Sequence, residues 1–273
     1  MNFYLKTKKI GFIGSGNMTR SIIKGLKFNK DINLNNIFVC NRTSEKAKAM
    51  SESLGVEYAE HVDEILEICD ILVISIKPQD LKTFLESYGK SFTEDQIVLS
   101  LCAGVKLQSL HEQLPQVKNI ARLMPSTTCE FGKGVLGVFS DNEEVASELA
   151  EYFQSVGAVY AVDSEEFLDS IMISAASGVG FILEMMQIWS EWLEEEGFDR
   201  ESSNEITKLS FAGVSAMLEN TDKDFSKLQS EVTSKKGVTL AGLEMMRSMG
   251  LDDALNKGFA AAHRRSKEME DLV

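Results

Sequence analysis

Hydrophobic positions follow two different rhythms along the chain. Through about residue 163, short apolar runs alternate with stretches in which apolar residues recur every three or four positions. Residues 9–13, 37–40, 70–76, 97–101 and 119–124 predict strands, followed by 135–139 and 158–162. The run Asp70-Ile-Leu-Val-Ile-Ser-Ile76 has almost no polar face, as expected of a strand buried on both sides of a parallel sheet. Residues 17–26 predict a helix with Met18, Ile22, Ile23 and Leu26 on one face. Ser44 is a suitable N-cap for a helix reaching Leu54, another helix is predicted over 79–88, and one more separates the last two strands. Alternation of this kind predicts βαβ units and a doubly wound sheet.

After Asp163 no run reads as a strand. Residues 165–196, 202–218 and 239 to the C-terminus carry helical periodicity, with Gly197 and Gly250 as stops. The expected architecture is therefore α/β. A Rossmann-like doubly wound sheet spans residues 1–163, and an all-helical domain spans 164–273. The helix over 171–193 is apolar on nearly all sides, with Phe181, Trp189 and Trp192. Such a helix has to be buried, and a helical domain of about a hundred residues has little to bury it in. The pattern predicts a subunit interface, hence a homodimer through the C-terminal helices. A central helix in a monomeric bundle is the alternative.

Composition narrows the function classes. At 44% hydrophobic and 26% charged residues, the chain can bury an ordinary globular core. Its formal net charge of −14 argues against a general affinity for nucleic acid, which needs a basic face. Cys40, Cys69, Cys102 and Cys129 are scattered, without a CxxC pair or a histidine at ligand spacing. Neither a disulfide framework nor a metal site is expected, and a reducing cytoplasm suits them. No apolar run near the N-terminus has the length of a signal peptide. The most apolar stretch, 171–183, reads as too short to span a bilayer, and Asp169, Ser174, Ser177 and Glu184 add polarity, so no membrane partner is expected.

The first chemistry-bearing motif follows the first strand, beyond Gly11. Gly14-Ser15-Gly16-Asn17-Met18-Thr19 links strand to helix, the context a dinucleotide fingerprint requires. Gly14 permits the tight turn and Gly16 lets a pyrophosphate approach the backbone. The helix start then offers unpaired N–H groups and a positive dipole end. Thr19 stands at the third small position, where looser helix–strand packing is expected. A plain tight turn is the alternative reading. At the end of the second strand, Cys40-Asn41-Arg42-Thr43-Ser44 lacks the carboxylate that usually binds the ribose hydroxyls of NAD. Arg42 can instead clamp a 2′-phosphate, with Asn41, Thr43 and Ser44 hydrogen bonding and Lys46 assisting. NADP (as NADPH) is favoured, with NAD left open. A solvated loop capped at Ser44 is the alternative here.

Taken together, these and later motifs resemble the pyrroline-5-carboxylate reductases. Residues 10–18 are similar to the family's form of the fingerprint, and Ser75-Ile-Lys77-Pro78-Gln79 resembles its loop beside the cofactor. Ser100-Leu-Cys-Ala103-Gly104 resembles a further strand-end turn, and Ala121-Arg122-Leu-Met124-Pro125-Ser126 its Arg-x-Met-Pro-Asn segment. Residues 232–243, Val-Thr-Ser234-Lys-Lys-Gly237-Val238-Thr239-Leu-Ala-Gly-Leu, resemble its substrate loop. The likeness runs in order from about residue 8 to residue 269. It implies reduction of the cyclic imine 1-pyrroline-5-carboxylate to L-proline, the last step of proline biosynthesis, with hydride passing from the nicotinamide to the imine carbon. It places Lys77, Pro78, Ala103, Gly104, Met124 and Pro125 along the nicotinamide cleft. It gives Ser234, Gly237 and Val238 to the substrate carboxylate and Thr239 to the imine, as the one catalytic side chain. It agrees with a homodimer and allows a larger ring of dimers. Read without the family, residues 234–239 form a helix cap and anion nest. His61 and His111, in helical patterns, and His263 read as surface residues.

The chain departs from the family at three places. Lys235-Lys236 stands where Pro-Gly is usual, Ser126 where Asn is usual, and Ala175-Ala-Ser177-Gly178-Val-Gly180 lacks the usual proline. Two further readings therefore stay open. One is a related NADP-dependent reductase of another cyclic imine or a 3-oxoacid; the other is a non-catalytic NADP-binding sensor. The absence of lysine from residues 178–192 argues against hydroxyacid chemistry.

Overall fold

The apolar runs become strands and the amphipathic stretches the helices that cover them. The computed structural model describes residues 5–270. The first half runs β1 (Ile10–Ile13), α1 (Asn17–Leu26), β2 (Ile37–Cys40), α2 (Ser44–Leu54), β3 (Glu57–Tyr58), α3 (Val62–Ile68), β4 (Ile71–Ile74) and α4 (Pro78–Tyr88). It continues through β5 (Ile97–Ser100), α5 (Leu107–Gln113), β6 (Asn119–Met124), β7 (Gly134–Ser140), α6 (Glu143–Tyr152) and β8 (Gly157–Ala161). Among the described residues these strands form one sheet in the order β3-β2-β1-β4-β5-β6-β7-β8. The strands from β3 to β6 pair in parallel, β7 is antiparallel to β6, and β8 runs parallel to β7.

The register decides where a site can form. Cys40 pairs with Ile13, Ile13 with Ile74, Ile74 with Ser100, and Ser100 with Arg122. The carboxyl ends of β2, β1, β4 and β5 therefore lie on one line, and β6 runs two residues past it. After β1 the chain goes out to β2 on one side and returns to β4 on the other, so the topological switch falls between β1 and β4. Ligands bind doubly wound sheets outside that crevice.

Two apolar layers sandwich the sheet. On one face, Ile22, Ile23 and Leu26 of α1, Met50 of α2 and Leu149 of α6 pack with Ile10, Phe12, Val39 and Val73. On the other, Ile65 of α3, Leu81 of α4 and Leu110 of α5 pack with Ile13, Leu72, Ile74 and Val98. The central strands β1, β4 and β5 are buried throughout, which is why they read as continuous apolar runs. Two details correct the sequence reading. The cap of α2 is Thr43, with Ser44 already the first helical residue. His61 precedes α3 as its cap, its backbone N–H donating to Glu64 Oε1 at 3.0 Å, rather than lying inside a helix.

The second half is helical: α7 (Glu165–Ile171), a π-helical turn over Met172–Ser177, α8 (Gly178–Glu195), α9 (Arg200–Glu219), α10 (Phe225–Glu231), α11 (Val238–Ser248) and α12 (Leu251–Glu270). Residues 271–273 of the expected last helix lie outside the described residues. Gly197 and Gly250 end helices with φ of 98° and 81°, values that glycine adopts without strain. The chain folds as two compact units. One comprises the residues up to Gly178 together with those from Ala262 onward, and the other is Val179–Ala261.

A third correction concerns the apolar helix. Residues Glu165–Glu195 form one helical stretch of 31 residues that is long and apolar enough, by length and composition, to cross a membrane. The expectation of a short segment stopped at Leu183, but Met185, Met186, Ile188, Trp189, Trp192 and Leu193 continue the apolar spacing. In the single chain this surface is largely uncovered: Leu183 is 58% exposed and Trp192 55%. Trp189 meets Phe211 edge-on at 5.6 Å, and Phe181 meets Phe259 at 5.4 Å.

Candidate functional site

The loop after β1 is built by glycine chemistry. Gly14 has φ 115°, and a Cβ there would lie 2.2 Å from the carbonyl oxygen of Ser75, so only glycine fits. A Cβ on Gly16 would meet nothing within 4 Å, which leaves its backbone open to a ligand. Gly16 caps α1 without a side-chain hydrogen bond, and the first turn of α1 carries no acidic residue. The N–H groups of Asn17 and Met18 are thus available to an anion. Thr19 is fully buried, and its Oγ1 donates to the Gly14 carbonyl at 2.7 Å and shares a 2.8 Å hydrogen bond with Ser75 Oγ. The looser packing expected at Thr19 is replaced by a hydroxyl that ties the loop, α1 and the end of β4 together. The sequence carried the signal, a hydroxyl residue at a small-residue position.

The end of β2 is tied to the same loop. Gly14 N donates to Cys40 O at 2.9 Å, and Ser15 N donates to Asn41 Oδ1 at 3.4 Å. Asn41 Nδ2 donates to the Thr43 carbonyl at 3.1 Å, fixing the turn that carries Arg42. Arg42, Thr43 and Lys46 are exposed, and Arg42 makes no ion pair among the described residues. A guanidinium with no ion pair among the described residues, two residues past the strand end, can take a phosphate. Arg20 of α1 is engaged elsewhere, donating from Nη1 to Ser53 Oγ at 3.3 Å.

Three turns continue the line beyond the switch. After β4, Lys77 is exposed and caps α4, with Pro78 as its first residue. After β5, Ala103 is half-buried and Gly104 turns at φ 75°. At the end of β6, Met124 and the following Pro125 are buried. Ser126, also buried, accepts a 3.1 Å hydrogen bond from Val135 N and pairs with Thr128 Oγ1 at 2.8 Å. The serine in place of the family's asparagine is therefore consumed in holding the next strand. The structure brings Gly14–Met18, Asn41–Thr43, Lys77–Pro78, Ala103–Gly104 and Met124–Pro125 to one edge of one sheet.

Arg122 carries a role the sequence reading did not assign. It is only 2% exposed, on β6, and pairs through Nη1 with Glu165 and through Nη2 with Asp169 Oδ1 at 3.6 Å. Burial pushes the Asp169 carboxyl above its usual range, against the opposing pull of Arg122. The signal was a lone arginine inside the apolar strand Asn119-Ile-Ala-Arg-Leu-Met.

The second predicted constellation lies in the helical unit. Gly237 N donates to Ser234 O at 3.0 Å, closing a four-residue turn through Lys235 and Lys236. Lys236 has φ 61°, alone among described non-glycine residues in being positive, while Lys235 is not. That is the sign pattern of a type II turn, the conformation Pro-Gly prefers. The departure therefore preserves the turn and strains it. Gly237 caps α11 without a side-chain hydrogen bond, and a Cβ there would lie 2.2 Å from Ser234 Oγ. The first turn of α11 has no acidic residue, Val238 is 93% exposed, and Thr239 is exposed. Uncapped N–H groups, two lysines and two hydroxyls thus stand close in sequence at one helix start, a chemistry that can take a small carboxylate.

The remaining candidates have structural roles. All four cysteines are free and buried; burial pushes Cys40 and Cys69 up to about 12 and Cys102 and Cys129 up to about 11, so none supplies a thiolate near neutrality. His111 lies in α5 with Nε2 3.0 Å from Asp141 Oδ2, and His263 lies exposed on α12. Among the described residues no cluster of three or more metal-ligating side chains occurs.

Comparison with known proteins matches the two halves of the chain to two different family models. Residues 165–269 match the family model described as pyrroline-5-carboxylate reductase dimerisation, and residues 9–104 match the one described as NADP oxidoreductase, coenzyme F420-dependent. Pyrroline-5-carboxylate reductase of Staphylococcus epidermidis is 30% identical over 96% of this chain and 97% of its own, and that of Staphylococcus aureus is 29% identical over 97% and 98%. A solved pyrroline-5-carboxylate reductase from Coxiella burnetii superposes with a TM-score of 0.86 at 29% identity, over 96% of this chain and 98% of the other. The Plasmodium falciparum pyrroline carboxylate reductase, solved with NADP bound, gives 0.85 at 22% identity over 97% and 99%, a likeness of fold.

Proposed function

The chain belongs to the pyrroline-5-carboxylate reductase family, and from that premise we propose that it reduces 1-pyrroline-5-carboxylate to L-proline at the expense of NADPH. The observation that carries the cofactor half is the line of strand ends at the β1–β4 switch, with an uncapped helix start behind Gly16. NADPH supplies a hydride to the imine carbon when bound. The chain's own residues do the rest. Gly14 and Ser15 shape the loop, their own N–H groups held by Cys40 O and Asn41 Oδ1, and Gly16, Asn17 and Met18 present backbone donors to the pyrophosphate, while Arg42, held by the Asn41 turn with Thr43 beside it, takes the 2′-phosphate. Lys77, Pro78, Ala103, Gly104, Met124 and Pro125 form the edge beside the nicotinamide.

In the helical unit, Ser234, Gly237 and Val238 bind the substrate carboxylate at the start of α11. Thr239, two residues into the same helix, orients the ring nitrogen through its hydroxyl. A protonated imine is already electrophilic, so a hydroxyl at hydrogen-bonding range suffices and no histidine is needed. The functional division at residue 163 is kept as a proposal: 1–163 for the dinucleotide and 164–273 for substrate and dimerisation, supported by the family match that begins at residue 165. The exposed apolar surface of α8 is the dimer interface, and a larger ring of dimers is compatible with it. Free, buried thiols suit a cytoplasmic location.

The deciding assay follows NADPH oxidation with pyrroline-5-carboxylate, its six-membered homologue and a 3-oxoacid. The five-membered ring is expected to turn over fastest. Turnover of the six-membered ring alone would move the substrate, and clear NADPH binding without turnover of any would mark a sensor. Thr239→Ala is expected to lower kcat by about a hundredfold, within the range of a lost proton-handling group, with NADPH affinity unchanged. An unchanged kcat would remove Thr239 from the site.

A further inference from the structure

We infer that Arg122, Glu165 and Lys106 are positioning residues that clamp the Ala103–Gly104 turn, and so set the nicotinamide end of the cofactor site; this rests on the cofactor reading above. The turn that follows β5 is gripped from two sides by elements outside the dinucleotide-binding motif. From beneath, Glu165 at the start of α7 accepts a 2.9 Å hydrogen bond from Leu107 N, fixing the exit of the turn. The same carboxylate oxygen pairs with Arg122, which lies in register with Ser100 at the end of β5. Ser100 in turn accepts a 3.2 Å hydrogen bond from Cys102 N, fixing the entry. Arg122 and Asp169 are each 2% exposed and Glu165 is partly buried over them, so the arginine end of the cluster is shielded from water and its geometry is stiff.

From the outside, the last turn of α12 closes over the same backbone. A Cβ on Gly104 would lie 2.6 Å from Cβ of Met269 and 2.9 Å from its carbonyl carbon, so helix and turn are in direct contact. Lys106 Nζ pairs with Glu270 Oε2 at 2.8 Å, and Lys267 lies 3.8 Å from the other oxygen of Glu270. The glycine is needed twice, for φ 75° and for that contact. The phosphate loop and the Arg42 turn are held by other bonds, those of Thr19 and Asn41. A loosened clamp is therefore expected to affect one end of the dinucleotide and not the other.

The test uses 2′,5′-ADP, which carries the 2′-phosphate end and lacks the nicotinamide, beside intact NADPH. In Glu165→Ala and in Lys106→Met, NADPH is expected to bind about tenfold more weakly, the size of one or two lost hydrogen bonds. The affinity for 2′,5′-ADP is expected to stay within about twofold, below the scale of one such bond. Glu165→Gln retains an acceptor for Leu107 N and is expected to recover most of the loss. Lys106 is half-exposed, so Lys106→Met decides the matter if Glu165→Ala fails to fold. Parallel loss for both ligands would reduce the cluster to a general stabiliser and overturn the inference, as would no loss for either. If the unaltered protein does not bind 2′,5′-ADP, the cofactor reading itself fails.

Discussion

The sheet unit and the helical unit use apolar residues in opposite ways. Ile10, Phe12, Ile71, Leu72, Val73 and Leu99 are fully covered by the chain's own helices, which lie on both faces of the sheet. In the helical unit Ile182, Leu183, Ile188, Trp189, Trp192, Leu209 and Val214 remain exposed, while the buried side chains include the small polar Ser190, Ser203 and Thr207. The first unit completes its core alone. The second carries half a core, and its family match names the process that supplies the other half. Apolar surface on this scale is stable in water only when another surface covers it. The difference teaches that cofactor binding and subunit assembly have separate physical bases in this chain.

The largest expected effect comes from charging the uncovered face. Leu183→Glu combined with Trp192→Glu would place two carboxylates into the interface, each costing several kcal/mol if buried unpaired. The dimer dissociation constant should rise by about a thousandfold or more, read by sedimentation. Affinity for 2′,5′-ADP should be unchanged, because the residues that shape the phosphate loop and the Arg42 turn all lie in the sheet unit. A stable dimer in the double variant would place the interface elsewhere, and loss of 2′,5′-ADP binding would end the separation of the two units.

The same contrast decides what was legible in the sequence. Strands buried on both faces announce themselves as apolar runs, and β2 and β6 fall where the pattern predicted. The two-residue β3 and the seven-residue α10 escaped, and the seven-residue α3 and α5 registered only as helical surroundings of His61 and His111 without bounds, because elements that short hold too few turns for a period to register. The π-helical turn at Met172–Ser177 has no sequence period of its own and was hidden inside a longer helical pattern. At the site, glycines and the missing strand-end carboxylate were readable because each excludes alternatives. Thr19, Ser126 and Arg122 were readable only as oddities, since their roles depend on residues distant in sequence: Ser75, Val135 and Glu165.

A second, smaller effect tests the sheet unit by itself. Arg42→Ala should weaken NADPH by about ten- to a hundredfold, the value of charge-assisted hydrogen bonds to a phosphate, while NADH changes little. Titration of both nucleotides into the variant measures the difference. Equal losses would mean that Arg42 stabilises the turn rather than reading the 2′-phosphate, and the role would pass to Asn41 and its bond to Ser15.

The smallest effect concerns the turn at Lys235-Lys236, where the helical unit accepts local strain. A lysine in the left-handed region costs about 1–2 kcal/mol relative to glycine, of which the glycine's greater freedom when unfolded returns about 0.4–1. Lys236→Gly should therefore stabilise the protein by about 0.5 kcal/mol, and adding Lys235→Pro should raise this to about 1 kcal/mol by presetting the preceding φ. Urea unfolding reads both, with two-state behaviour checked because the protein has two units. On the substrate role proposed for this turn, the strain is retained because two cations flank an uncapped helix start. The double variant should then show a higher KM for the imine carboxylate, and the salt dependence of that KM should weaken, while kcat holds. Increased stability with an unchanged KM would leave the lysines as passengers on a turn that glycine would make better. A loss of stability would show that Lys236 is held by contacts worth more than its strain.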